Sequence, residues 1–120
     1  MNLTDDKKKI ITDFIKFVKK ELNIKDLPLI ILKNNRNGIK TTANYIYTKP
    51  NKSINIYIKN RALVDIMRSV AHEMVHHKQF EDGRLKVKPD DIGGEIEDES
   101  NAIAGQLIKK YAILDKSIYE

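Results

Sequence analysis

The sequence predicts a single α+β domain: an N-terminal helix, a small three-stranded sheet, a helix carrying a histidine-rich motif, and a C-terminal glutamate-bearing helix. Three observations predict it. Apolar residues recur at helical spacing in the first twenty-odd residues, through residues 61–80 and again towards the C-terminus. Three short runs of β-branched and aromatic residues lie between positions 27 and 58. The breaks between those runs contain the Asn, Gly and Pro that turns require. A chain of 120 residues has the length of one domain with one modest core, so residues 1–120 are read as a single unit.

Taken in order, Thr4 to Leu22 reads as an amphipathic helix, with Ile10, Ile11, Phe14, Phe17, Val18 and Leu22 on one face and Thr4 followed by acids at its start. Leu27 to Leu32, Ile39 to Tyr47 and Ser53 to Ile58 are the three strands, and the break Lys49-Pro50-Asn51-Lys52 reads as a hairpin turn. Within the third run Ile54, Ile56 and Ile58 alternate with Ser53, Asn55 and Tyr57, which predicts one buried and one wet face. Arg61 to Phe80 is the motif helix. Leu63, Met67, Val70, Ala71 and Met74 form its buried stripe, and Asp65, Ser69, His72 and His76 a separate polar one. Glu81-Asp82-Gly83 supplies a stop, and after a connection of about ten residues a final helix runs from Gly94 to Ala112.

Composition narrows the functional classes. A hydrophobic content of 41% with 32% charged residues describes a globular chain rather than a disordered one, and no apolar run is long enough to span a membrane. Met1 to Lys9 lacks the apolar stretch of a secretory signal, which places the expected location in the cytoplasm. The absence of cysteine excludes disulfides and thiolate metal sites, leaving His and carboxylate as ligands for any zinc. The net charge of +5 comes from lysines spread along helix faces without interleaved aromatics, which argues against nucleic acid as a partner.

His72-Glu73-Met74-Val75-His76 carries the chemistry. Residues four apart share a helix face with Cβ atoms about 5–6 Å apart, so two imidazoles can converge on one tetrahedral zinc at roughly 2.0–2.1 Å. Glu73, one residue round, can reach a water in the open coordination position without binding the metal, as a general base does. Shuffling this composition yields the pentapeptide about once in 350 chains, so context must add to it. A catalytic zinc usually takes three protein ligands, and after His77 no histidine remains. Among the acids of the last helix, Glu95 shares its stripe with Asp98, Glu99, Ala102 and Gln106, and Asp98 its stripe with Ala102, Gly105 and Lys109, both solvent-like. Glu97 heads Ser100, Asn101, Ala104 and Ile108, a small or apolar face suited to close helix packing, and is the expected third ligand.

With Glu97-Asp98-Glu99-Ser100-Asn101 following the HExxH helix, the chain resembles the gluzincin clan of zinc metallopeptidases, in which a Glu-x-x-(Ser/Ala)-(Asp/Asn) helix completes the site. Twenty residues separate His76 from Glu97, similar to the short connection of compact members. The resemblance covers both of these helices and the preceding sheet. It implies a zincin-like fold, one Zn2+ per chain held by His72, His76 and Glu97, Glu73 as base, and Asn101 hydrogen-bonded to the outer nitrogen of His72. Asn101 stands where thermolysin-like enzymes more often carry Asp, which implies a less basic His72. The order and length are most similar to minimal gluzincins and to small bacterial metallopeptidases that cleave repressors, although Ile103 stands where the latter usually have Phe. The resemblance further implies that an extended peptide or protein substrate adds alongside Thr41 to Tyr47, with Ala43, Asn44 and Tyr45 as the substrate-binding residues.

The expected activity is therefore zinc-dependent peptide-bond hydrolysis. The alternative is a zinc-stabilised regulatory or protein-binding module that cleaves little, because no oxyanion-stabilising residue stands out among Tyr45, Tyr57, Tyr111, Tyr119 and Arg84. Two histidines and a carboxylate also accept other divalent ions. His77 points about 100° away from His76 and reads as a core-edge histidine rather than a fourth ligand. Residues Leu114 to Glu120 could lie in the cleft and restrain activity.

Overall fold

The computed structural model describes residues 4–34, 42–47, 51–85 and 94–119, and shows the expected α+β architecture. Helix α1 spans Asp5–Leu22, followed by strands β1 (Leu29–Lys33), β2 (Ala43–Ile46) and β3 (Ser53–Tyr57), helices α2 (Leu63–Glu81) and α3 (Glu95–Leu114), and a single 3-10 turn at Lys116–Tyr119. Among the described residues, no helix is long and apolar enough to cross a membrane.

Local chemistry sets the limits of α1. The Thr4 side chain accepts the Lys7 N–H, Asp5 and Asp6 sit at the positive end of the helix dipole, and Lys19 and Lys20 at the negative end. Asn23 ends the helix in the left-handed region at φ 55°. The Asn23 N–H reaches the Lys20 carbonyl and the Ile24 N–H the Lys19 carbonyl, the paired bonds of a Schellman stop with Ile24 buried behind it. Ile11, Phe14 and Val18 are buried. Phe14 and Phe17 each meet Tyr111 of α3 edge-on, ring centres 5.1 Å apart, which ties the two helices together.

The sheet has the order β1-β3-β2. β2 and β3 pair antiparallel with Ala43 opposite Ile56, as the hairpin reading expects, but β1 pairs parallel with β3, Leu29 opposite Ser53. β1 begins two residues later than the apolar run because Pro28 has no N–H to give a ladder. Residues 39–41 of the expected second strand lie outside the described residues. Ile54 and Ile56 are fully buried and Ile58 nearly so, as the alternation predicts, yet Asn55 on the supposedly wet face is only 5% exposed. It sits on the central strand and donates from Nδ2 to Asn44 Oδ1 at 3.0 Å, its opposite number on β2.

α2 lies between the sheet and α3 and also packs on α1. Leu63, Met67, Val70, Ala71 and Met74 are buried as expected, but so are Glu73, Val75, His76, His77 and Gln79. The His72 and His76 end of the polar stripe turns towards α3, where Glu97 meets both rings, while Asp65 at its start is exposed. Arg61 fixes the start of the helix: its guanidinium donates to the Tyr57 carbonyl, to Asp65 and to Ser69 Oγ, joining the end of β3 to two turns of α2. The C-terminal 3-10 turn packs on α2 and α3 and buries Ile118 in the core.

Candidate metal centre

The i, i+4 spacing on α2 sets the His72 and His76 rings edge to face, 4.7 Å between centres, with their Nε2 atoms 3.2 Å apart. Glu97, in the first turn of α3, gives one oxygen to each ring: Oε2 is 2.9 Å from His72 Nε2 and Oε1 is 3.0 Å from His76 Nε2. Donors bound to a tetrahedral zinc at roughly 2.0–2.1 Å stand about 3.3–3.4 Å from one another. The three side chains therefore already hold their donor atoms close to metal-ligand separation, and they form a His/Glu group able to hold a metal ion.

The outer side of the His76 ring is also engaged. His76 Nδ1 is 2.8 Å from Gln79 Oε1 and 3.2 Å from Ser100 Oγ. The Asn101 side chain stands near enough to His72 to favour a proton on its ring. A hydrogen on the outer nitrogen leaves a lone pair on the inner one. That lone pair and a carboxylate facing each other repel unless a cation sits between them. Burial holds His72 below the ordinary histidine range, against the opposing pull of Glu97, so a proton fills that role poorly at neutral pH. A divalent ion fits the donor set.

Glu73 is buried beside this group, and burial pushes its carboxyl up to about 7, with His76 opposing and Glu97 adding to the rise. A carboxyl that titrates near neutrality is suited to take up and return a proton.

No protein-family model, curated protein or solved structure matches this chain.

His77 faces away from the cluster and is 3% exposed. Its Nε2 is 2.6 Å from the Asp26 carbonyl, which can only accept, so Nε2 carries the hydrogen and Nδ1 accepts from the Tyr45 hydroxyl at 2.6 Å. It cross-links α2, β2 and the turn after α1. Tyr45 is thereby committed, and burial, then the charge of Glu81, raises its pKa. Ala43 and Tyr45 sit at the core side of β2 while Asn44 bonds Asn55, so all three residues expected to meet substrate lie on an edge strand with their side chains turned to the protein.

Of the remaining oxyanion candidates, Tyr111 is buried against Phe14 and Phe17, and Arg84 pairs with both oxygens of Glu99 at 2.7 and 2.9 Å. Glu95 and Asp98 are exposed as projected, but Glu99 is not an idle charge of the helix start: besides Arg84 it accepts from Gln79. The residues that sequence reasoning missed are Gln79 and Ser100. Each lies three residues after a candidate ligand, His76 or Glu97, and that spacing was the available signal.

Proposed function

We propose that the protein is a zinc-dependent metallopeptidase of gluzincin type, in which His72, His76 and Glu97 hold the metal and Glu73 is the general base. The observation that carries this is the convergence of two imidazole Nε2 atoms and one carboxylate within hydrogen-bonding distance, with Gln79 engaging the His76 ring from behind. Zinc in such a site supplies a Lewis acid and acidifies a water to near neutrality. Glu73 takes a proton from the attacking water and delivers it to the leaving amine, a transfer to which its near-neutral titration is matched. Asn101 and Gln79 keep the ligand rings oriented. By the family resemblance, an extended peptide aligns along β2.

A second reading, a zinc-stabilised module that binds protein and cleaves little, is favoured by one observation: Tyr45, Tyr111 and Arg84 are all held in contacts of their own, so none is set aside as an oxyanion donor. Elemental analysis of the untagged wild type beside Glu97→Ala and Glu95→Ala tests the metal site. One zinc per chain, lost only in Glu97→Ala, is expected. A wild type that refuses added zinc would sink both readings. Glu73→Gln separates them, because an enzyme loses turnover on a peptide library while keeping its zinc, whereas a binding module is unaffected.

A further inference from the structure

We infer that Gln79 is the positioning residue of the metal site, fixing the ring state of His76 and the reach of Glu97 together; this rests on the zinc reading above. Gln79 is 1% exposed, at the seam between α2 and α3. Its Nε2 lies 3.2 Å from the Ile96 carbonyl and 3.1 Å from Glu99 Oε1. Neither offers a donor: the Ile96 carbonyl can only accept, and both Glu99 oxygens already accept from the Arg84 guanidinium at 2.7 and 2.9 Å. The amide nitrogen must face them, and Oε1 must therefore face His76 Nδ1, 2.8 Å away.

An acceptor at that position requires the hydrogen on Nδ1 and directs the Nε2 lone pair at Glu97, the ring state in which histidine binds a metal. Ser100 supports the same state: its hydroxyl donates to the Ile96 carbonyl at 3.0 Å and so can only accept from Nδ1 at 3.2 Å. The Ile96 carbonyl belongs to the residue immediately before Glu97, so the same amide that orients His76 also grips the backbone from which the third ligand extends. Arg84 anchors the far end through Glu99, making one connected path from Arg84 to Glu99, Gln79 and His76.

Two substitutions separate the two grips. Gln79→Met keeps the length and removes donor and acceptor alike. Gln79→Glu keeps an acceptor for His76 but loses the donors to Ile96 and Glu99. Zinc affinity, by competition with a chelator of known strength, and the His76 ring state, by nitrogen-15 NMR of the imidazoles in metal-free protein, are measured on the full chain.

Wild type and Gln79→Glu are expected to show His76 with its hydrogen on Nδ1, and Gln79→Met a mixture of both tautomers. Zinc affinity is expected to fall about 10–100-fold in Gln79→Met and by less in Gln79→Glu. A helix seam that had merely loosened would weaken both variants without separating their ring states. Wild-type affinity and an unchanged ring in Gln79→Met would overturn the inference alone, whereas a wild type that binds no zinc overturns it together with the metal reading. Should Gln79→Met fail to fold, Gln79→Glu decides: weaker zinc binding with the tautomer kept supports the inference, and undiminished binding overturns it.

Discussion

Glu81 shows how one carboxylate can hold a turn. Its two oxygens accept the consecutive N–H groups of Lys25 and Asp26, each at 2.9 Å. Burial by itself would raise its pKa, but the hydrogen bonds from Asp26 and Lys25 outweigh it and hold the carboxyl below the usual range. A depressed folded-state pKa gives stability that is present above the unfolded value of about 4.3 and lost as pH falls through the folded value. Glu81→Gln is expected to cost about 1–3 kcal/mol at pH 7, with the gap from wild type narrowing at pH values below about 4. Urea unfolding at both pH values checks this, and an equal gap at both would show that the charge does not hold the turn. Tyr45→Phe leaves the buried His77 Nδ1 without its donor and is expected to cost about 1–3 kcal/mol while zinc content stays at the wild-type level. Loss of zinc in that variant would mean His77 belongs to the metal site after all.

At this scale the placing of Glu97 against His72 and His76 was legible in the sequence, because a helical projection ranks acids by face before any partner is known, whereas Asn101 came from the family resemblance alone. Gln79 was not legible. Its worth depends on which carbonyl of α3 lies opposite, a fact that no local pattern carries.

At the scale of elements, the helices were read almost to the residue, since caps, periodicity and stops are local. Thr4 and Asn23 bound α1 by such chemistry. The left-handed Asn23 makes a direct test: a β-branched residue there is expected to cost about 1–2 kcal/mol, and Asn23→Gly to be neutral or mildly stabilising. Thermal unfolding of Asn23→Val and Asn23→Gly measures the pair, and a Val variant as stable as wild type would count against the Schellman stop. The sheet was read less fully. Period-two alternation in Ser53–Ile58 identified the buried isoleucines, but it says nothing about which strand lies alongside. The parallel partnership of β1 with β3, and the burial that comes to Asn55 on the central strand, follow from that pairing.

At the scale of the molecule, the candidate ligands straddle the α2–α3 seam, so a zinc ion held there would link metal binding to stability. A ligand that binds only the native state at 100 times its Kd stabilises it by about 2.7 kcal/mol, which for a domain of this size is a rise on the order of 10 °C in Tm. Chelation is expected to lower the wild-type Tm by that order and to leave Glu97→Ala unmoved. A chelator-insensitive wild type would mean that no ion bridges the helices.

The seam also bears on the order in which the chain assembles. His76 and Glu97 are only 21 residues apart, so α2 and α3 can close as a hairpin of helices whose contacts are short-range along the chain. The parallel β1–β3 pairing spans a similar separation, Leu29 to Ser53, so loop length does not rank the two; the helices are favoured because each forms from contacts within itself before docking, which a strand cannot do. Trimming Ala104 or Ile108 in the seam, Ala104→Gly or Ile108→Val, is therefore expected to slow refolding, whereas Ile30→Val in β1 mainly hastens unfolding. A chevron analysis of these variants tells the two apart. If the seam does form first, the ligand trio is the earliest long-lived contact in the molecule, and zinc present during folding speeds the refolding limb itself rather than only slowing escape from the native state.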